Sequence, residues 1–282
     1  MHDVPRQFHF VFGLRPQTEP MHLIHYLCLE SCRQVNRPDA IHFHYRNEPY
    51  GPLWESIRPA LTLHRIEGAA RGFDPSRYAD TQEGRIIAHL GLAYAHESDF
   101  VRMDALIEHG GIYADMDTLF VRPYPDAWLA HDFLIGEEPG VVADDGIIKP
   151  SLCNAVMLAR RGARFARVWR EKMVEMFDGT WSRHSCQGAA AVWGMHPDTV
   201  SVLPEEYFYA FRSTRDGLHA LLEDDVAVPE ELRSIHLWAH LWWDRQRTDF
   251  SAMHEGMFTQ EYVARIDTTY NRLARRFLTR NV

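Results

Sequence analysis

Along the first half of the chain, apolar residues switch between a period of two and a helical period. Residues 6–13 (RQFHFVFG), 41–45 (IHFHY) and 61–66 (LTLHRI) place an apolar or aromatic residue at about every second position and predict strands. Pro49-Tyr50-Gly51-Pro52 supplies turn chemistry between the second and third. Residues 22–36 read as a helix that Pro38-Asp39 breaks, and 81–109 as one long helix stopped by Gly110-Gly111. A short apolar strand, Ile112-Tyr113-Ala114, then delivers Asp115-Met116-Asp117. Further strands are expected at 132–136 (DFLIG) and 154–159 (NAVMLA), an amphipathic helix at 162–177, and a closing basic helix at 260–278. Strand–helix alternation of this kind predicts an α/β domain, with a mostly parallel central sheet covered by helices on both faces.

Composition narrows the function classes. With 282 residues, 46% of them hydrophobic and 24% charged, the chain suits a single globular domain with a sizeable core. A net charge of −9 argues against a nucleic-acid partner, since phosphate-backbone recognition needs a basic face. The absence of a long apolar run and of a basic-then-apolar leader, together with only four scattered cysteines, makes a reducing cytoplasm the expectation.

Twenty aspartates in 282 residues give roughly one D-x-D pair by chance, so the motif alone carries little. Its setting carries more. In open parallel sheets, ligands bind beyond the carboxyl ends of strands, which is where Asp115 and Asp117 fall. Hard carboxylate oxygens suit a divalent cation whose remaining ligands a diphosphate can supply. One turn apart on the preceding helix, Asp99 and Arg102 share a face. They read either as an ion pair or as a sugar-gripping carboxylate beside a diphosphate-steadying cation.

Two other constellations call for a reading. His22, His25, Cys28 and Cys32 form one helical stripe, but four ligands on a single helix cannot surround a tetrahedral zinc ion, so a buried structural stripe is expected. Arg265, Arg272, Arg275, Arg276 and Arg280 give the last predicted helix a basic face, which could rest peripherally on an anionic membrane or simply be solvated.

The composite His96-Glu97-Ser98-Asp99-x-x-Arg102, then Gly110-Gly111-Ile112-Tyr113-Ala114-Asp115-Met116-Asp117, resembles the DXD-containing sugar-binding region of a glycosyltransferase family. That family includes capsular-polysaccharide, α-mannosyl and α-galactosyl transferases and is distantly similar to clostridial-toxin glucosyltransferase domains. The resemblance implies a GT-A nucleotide-sugar-binding fold, with a donor half to about residue 126 and an acceptor and closing half over 127–282. It implies Mn²⁺ or Mg²⁺ as cofactor, a UDP- or GDP-linked sugar as donor and a hydroxyl acceptor, mostly with retention of configuration.

Position by position, the resemblance implies that Asp99 and Arg102 hold the donor sugar, that Asp115 contacts ribose and sugar hydroxyls, and that Asp117 coordinates the metal. Phe12 would stack on the base, and Asn154 and Gln187 would lie near the sugar. The late segment His236-Leu237-Trp238, followed by Trp242, would close over the diphosphate. His236 is a candidate further ligand to the metal, because a neutral imidazole suits Mn²⁺; it reads equally as a core residue of a closing strand. Glu137-Glu138 could face the acceptor. A phosphotransferase of the haloacid-dehalogenase type, with Asp144, Asp145 and Lys149 as later motifs, is the competing enzyme class, and a non-catalytic sugar-nucleotide binder the third reading.

Overall fold

The computed structural model describes residues 3–142, 148–239 and 258–279. In chain order the strands are β1 (Gln7–Phe12), β2 (Ala40–Tyr45), β3 (Thr62–Arg65), β4 (Gly111–Ala114), β5 (Thr118–Phe120), β6 (Phe133–Val142), β7 (Ile148–Ala159), β8 (Ser201–Leu203) and β9 (Ser234–His236). The helices are α1 (Leu23–Asn36), α2 (Pro52–Ile57), α3 (Gln82–His89), α4 (Ala93–His109), α5 (Arg164–Met176), α6 (Cys186–Met195), α7 (Arg215–Leu222), α8 (Gln260–Arg265) and α9 (Thr269–Ala274).

Seven strands form one sheet in the order β3-β2-β1-β4-β7-β6-β8. β7 runs antiparallel to both its neighbours, and the other pairings are parallel. The carboxyl ends of β1, β2, β3, β4 and β6 therefore share one edge. Alternation along β1 sorts its side chains between two cores: Phe8 and Phe10 pack with Ile41, Phe43 and α1, whereas Val11 packs with Phe100, Met103, Leu106 and Trp169. This is the GT-A type of fold.

Three expectations are corrected. The long helix predicted over 81–109 is two helices, because α3 ends at Leu90 and Gly91 turns left-handed with φ 69°. The strands read at 132–136 and 154–159 extend into the long β6–β7 arm, which a bulge interrupts between Glu138 and Val141. The predicted basic helix breaks after Arg265, and three of its arginines are engaged by other parts of the chain. Arg275 donates to the carbonyls of Val263 and Ile266 and pairs with Asp267, Arg272 pairs with Asp225, and Arg276 donates to the carbonyl of Val121. Carboxylates offset Arg265 (Glu261), Arg272 (Asp225) and Arg275 (Asp267), and the expected peripheral membrane contact finds no support; Arg280 lies outside the described residues. No described helix is long and apolar enough to cross a membrane.

Parallel register also builds a histidine ladder on the α4 face of the sheet. His9 pairs across the strands with His42, and His44 with His64, and their rings stack 4.8 Å apart in each case. His109, at the end of α4, stacks over His9 at 5.9 Å. Hydrogen bonds fix the tautomers. His9 Nε2–H donates to the Gly110 carbonyl at 2.9 Å, so its Nδ1 lone pair accepts from His44 Nε2–H at 3.0 Å. His42 likewise donates from Nε2 to Gln7 Oε1 at 3.3 Å and accepts from His64 at 2.8 Å. Each pair needs the accepting ring, His9 or His42, to keep its Nδ1 lone pair, so neither of those rings can be an imidazolium.

Candidate functional site

β4 begins where the chain must turn sharply between crowded neighbours. A Cβ on Gly111 (φ 112°) would lie 2.7 Å from the Gln7 carbonyl oxygen, and one on Gly110 (φ 67°) 2.7 Å from the Arg161 nitrogen, so the pair admits no side chain. Beyond β4, the Asp115–Phe120 segment rests on α1. Cys28 Sγ–H donates to the Asp115 carbonyl at 3.5 Å, His25 Nδ1–H to the Met116 carbonyl at 3.2 Å, and the Phe120 amide donates to Ser31 Oγ at 3.1 Å. The histidine–cysteine stripe is thus a structural seat for the D-x-D turn, with Cys28 and Cys32 buried in the core.

Asp115 and Asp117 face different partners. Tyr113, two positions earlier and so on the same face of the strand, donates its hydroxyl to Asp115 Oδ1 at 2.6 Å. Arg102 Nη1 lies 3.1 Å from the same oxygen, and its guanidinium sits over the Tyr113 ring at 4.5 Å. Burial raises the Asp115 pKa, against the pull of Arg102 and His236. Asp117 Oδ2 accepts from the Ala239 amide at 2.9 Å, and its carbonyl accepts from Leu237 N–H at 3.0 Å.

Asp99 and Arg102 do share a face, 3.2 Å apart, and both are buried. Asp99 accepts from Asn154 Nδ2 at 2.7 Å and from His184 Nε2–H at 2.9 Å. Burial disfavours its charge, but Arg102 and His184 outweigh that and hold its pKa below the usual carboxylate value. Arg102 also donates to the Asn154 carbonyl at 3.0 Å. It is a buried hinge pin between Asp99 and Asp115, not a free surface cation. Sequence reasoning missed His184, which reaches Asp99 from the loop before α6; no spacing in the sequence flags a ligand that arrives from so distant a loop.

The third strand of the site comes from far downstream. β9 pairs with β5 in a two-stranded ribbon, with His236 opposite Thr118. This places His236 Nε2 3.2 Å from Asp117 Oδ1 and 3.8 Å from Asp115 Oδ2. Burial favours the neutral imidazole; Asp117 and Asp115 outweigh it and raise the His236 pKa. His236 is both a strand residue and a neighbour of the carboxylates. Trp238 follows with φ 53° and donates Nε1–H to the Phe211 carbonyl at 2.8 Å.

One ligand atom each from Asp115, Asp117 and His236 lie within 4.8 Å of one another. Two carboxylates and an imidazole are a donor set that fits a divalent cation such as Mn²⁺ or Mg²⁺, with His236 Nε2 as the nitrogen that faces both aspartates.

Other expected residues fall elsewhere. Phe12 ends β1 with its ring 4.5 Å from that of His25, beside Tyr45. Gln187 is exposed on the first turn of α6 and donates to Ser182 Oγ at 2.8 Å; one helix position earlier, Cys186 turns its thiol toward Asn154 Oδ1 at 3.8 Å. A step of one residue rotates a side chain about 100° around a helix, which is why Gln187 leaves this cluster. Trp242, Asp144 and Asp145 lie outside the described residues. One cavity of about 500 Å³ lies over the ends of β2 and β3, and another of about 370 Å³ over β6 and β7.

Comparison with known proteins agrees with this geometry. Residues 69–134 match the family described as the glycosyltransferase sugar-binding region containing the DXD motif. Glucan organizing enzyme 1 of Cryptococcus neoformans var. grubii serotype A is 30% identical over 212 residues, covering 73% of this chain and 54% of that protein. The chain thus spans about half the length of the curated relative it matches. Among solved structures, the galactosyltransferase LgtC in complex with donor and acceptor sugar analogs superposes with a TM-score of 0.52 at 14% identity, covering 97% of this chain and 96% of that one. These likenesses remove the ground for the haloacid-dehalogenase reading. By matched region, motif order and fold, residues 69–134 are similar to the glycosyltransferase sugar-binding region containing the DXD motif, set in a GT-A type of fold.

Proposed function

We propose that this protein is a metal-dependent glycosyltransferase that moves a hexose from a UDP- or GDP-linked donor to a hydroxyl acceptor with retention of configuration. The observation that carries the reading is the convergence of Asp115 and Asp117, from the end of β4, with His236, from β9. Asp117 and His236 would hold the ion, with Asp115 facing ribose and sugar hydroxyls. A divalent ion there supplies positive charge to the diphosphate as it departs. Arg102, fixed between Asp99 and Asp115, orients both carboxylates and favours their charged forms against burial. The larger cavity, with Tyr45, Tyr50, Arg46 and Arg65 in its wall, is on the β1 side and suits the nucleoside end of the donor. In the transfer, the acceptor oxygen bonds to the anomeric carbon, the bond from that carbon to the phosphate oxygen breaks with its electron pair leaving on the diphosphate, and the hydroxyl proton passes to the departing phosphate.

A thermal-shift panel of nucleotide sugars with and without Mn²⁺ tests the reading. One UDP- or GDP-sugar at 100 times its dissociation constant is expected to stabilise the protein by about 2.7 kcal/mol, and only with the ion present. Turnover of that donor then separates an enzyme from a sugar-nucleotide binder. A panel in which no nucleotide sugar shifts the transition in either condition rejects the proposal.

Asp99→Asn gives a finer test, because it keeps the shape and removes the charge. If Asp99 grips the sugar, turnover is expected to fall at least ~10-fold while affinity for the bare nucleoside diphosphate stays within about 3-fold, about 1.4 against 0.7 kcal/mol. Equal losses for sugar nucleotide and bare diphosphate would remove the sugar contact from Asp99.

A further inference from the structure

The smaller cavity, of about 370 Å³, is in the size range of small-molecule sites, roughly 300–1,000 Å³. Its wall contains Trp193, Glu137, Glu138, Ser151, Glu205 and Arg212. Because β6 runs parallel to β1 and β4, its Glu137 and Glu138 lie toward the same sheet edge as the D-x-D turn, but on the opposite side of it from the larger cavity. Gly136, next to Glu137, is packed against the Tyr209 ring, whose centroid lies 6.2 Å from that of His236, so one side chain separates this strand from the candidate metal cluster.

Its chemistry is selective. Glu205 is taken up by a bidentate ion pair with Arg212, so those two charges cancel. Glu138 accepts from the buried Ser151 hydroxyl at 2.6 Å, and neither it nor the exposed Glu137 has a described cationic partner. Among the described residues, therefore, the wall has two carboxylates without a cationic partner, which accept hydrogen bonds from hydroxyls and repel anions. Trp193, half-buried on α6, adds a flat apolar ring to the same wall. One face of a pyranose is a patch of C–H groups and its rim is hydroxyl donors, so a tryptophan beside carboxylates matches both parts of it.

We propose that this cavity is the acceptor subsite and that it takes an uncharged sugar, stacked on Trp193 with hydroxyls bonded to Glu137 and Glu138, while excluding uronates and phosphorylated sugars. The inference rests on the glycosyltransferase reading for the word acceptor, but binding of the sugar itself is measurable without any donor.

Saturation-transfer NMR on the full chain, with maltose, cellobiose and lactose as neutral probes and glucuronate as the anionic one, tests it. The wild type is expected to bind at least one neutral disaccharide and not glucuronate. Trp193→Ala should weaken that binding at least ~10-fold, a change of about 1.4 kcal/mol, with Trp193→Phe intermediate. Glu137→Gln, at an exposed position that does not threaten the fold, should narrow the discrimination against glucuronate. Retained Mn²⁺-dependent binding of a nucleoside diphosphate serves as the folding control. No neutral sugar bound, equal binding of glucuronate, or indifference to both Trp193→Ala and Glu137→Gln would overturn the proposal. Sugar binding that behaves as expected in a protein that turns over no nucleotide sugar would leave the subsite standing and sink the transferase reading instead.

Discussion

Asp117→Asn is expected to lower Mn²⁺-dependent turnover by about 10²–10³-fold, the usual loss when one preorganised electrostatic contact to a departing charge is removed. The ligand-free protein should be left almost as stable as before. The asparagine keeps an oxygen that can accept from the Ala239 amide, and the unchanged backbone keeps the Leu237 N–H bond to the residue-117 carbonyl. Its amide also removes a negative charge from beside Asp115, whose buried carboxyl is already pushed up. What it cannot do is offer an anionic oxygen beside His236. The measurement is a pair of melting curves, with and without nucleoside diphosphate and Mn²⁺, together with turnover. A variant that retains metal-dependent stabilisation and turnover would move the ion away from Asp117.

A second large effect is expected in acid, from the histidine ladder on the α4 face of the sheet. Burial, together with neighbouring imidazoles, depresses the pKa of His9 from 6.5 to about 3 and that of His44 to about 2. Above 6.5 both are neutral, folded or unfolded, and the ladder costs nothing. Below it the unfolded chain takes up protons that the folded chain refuses, so stability falls as pH falls, by about 1.36 kcal/mol per unit for each residue until the folded values are reached. Between pH 7 and pH 5 the two together remove about 4 kcal/mol, a large share of an ordinary domain's 5–15 kcal/mol. Burial lowers the pKa values of the facing His42 and His64 as well, and Gln7 and the Gly110 carbonyl carry no charge to offset a proton taken up by the ladder. Denaturant midpoints taken from pH 7 down to pH 5 should drop steeply, and His44→Gln should roughly halve the slope. A flat profile would show that the ladder admits protons without strain.

How much of this was readable beforehand follows from which forces are local. Period-two alternation and glycine stops located β1, β2, β3 and β4, and the turn that holds Asp115 and Asp117, because those signals lie within a few residues of one another. The same alternation puts His42 and His44 on one face of β2, yet nothing in it says that His9 and His64 will stand beside them; strand register is a tertiary result. The break at Leu90-Gly91 had a local signature that the surrounding helical pattern outweighed. The β5–β9 ribbon had almost none, since each strand is three residues long and needs the other to exist. His184 and the Cys186–Gln187 phase depend on how a loop enters α6. At the C-terminus, arginine spacing suggested an outward stripe, whereas carbonyls at the break after Arg265 were better partners for Arg275 than solvent.

The bond from the Ala239 amide to Asp117 joins positions 122 apart in the chain. Closing a loop of that length costs a flexible chain about 4 kcal/mol of entropy, and the return is collected only after the intervening sheet and helices have formed. The donor turn can therefore be built early by β1, β4 and α1, but it waits for the last arriving strand before His236 stands beside it. A ligand that touches both Asp117 and His236 is, in polymer terms, a reversible cross-link across that loop. It favours the closed ring over every partly open one, so the cell's supply of donor would set how firmly the second half of the chain stays fastened to the first.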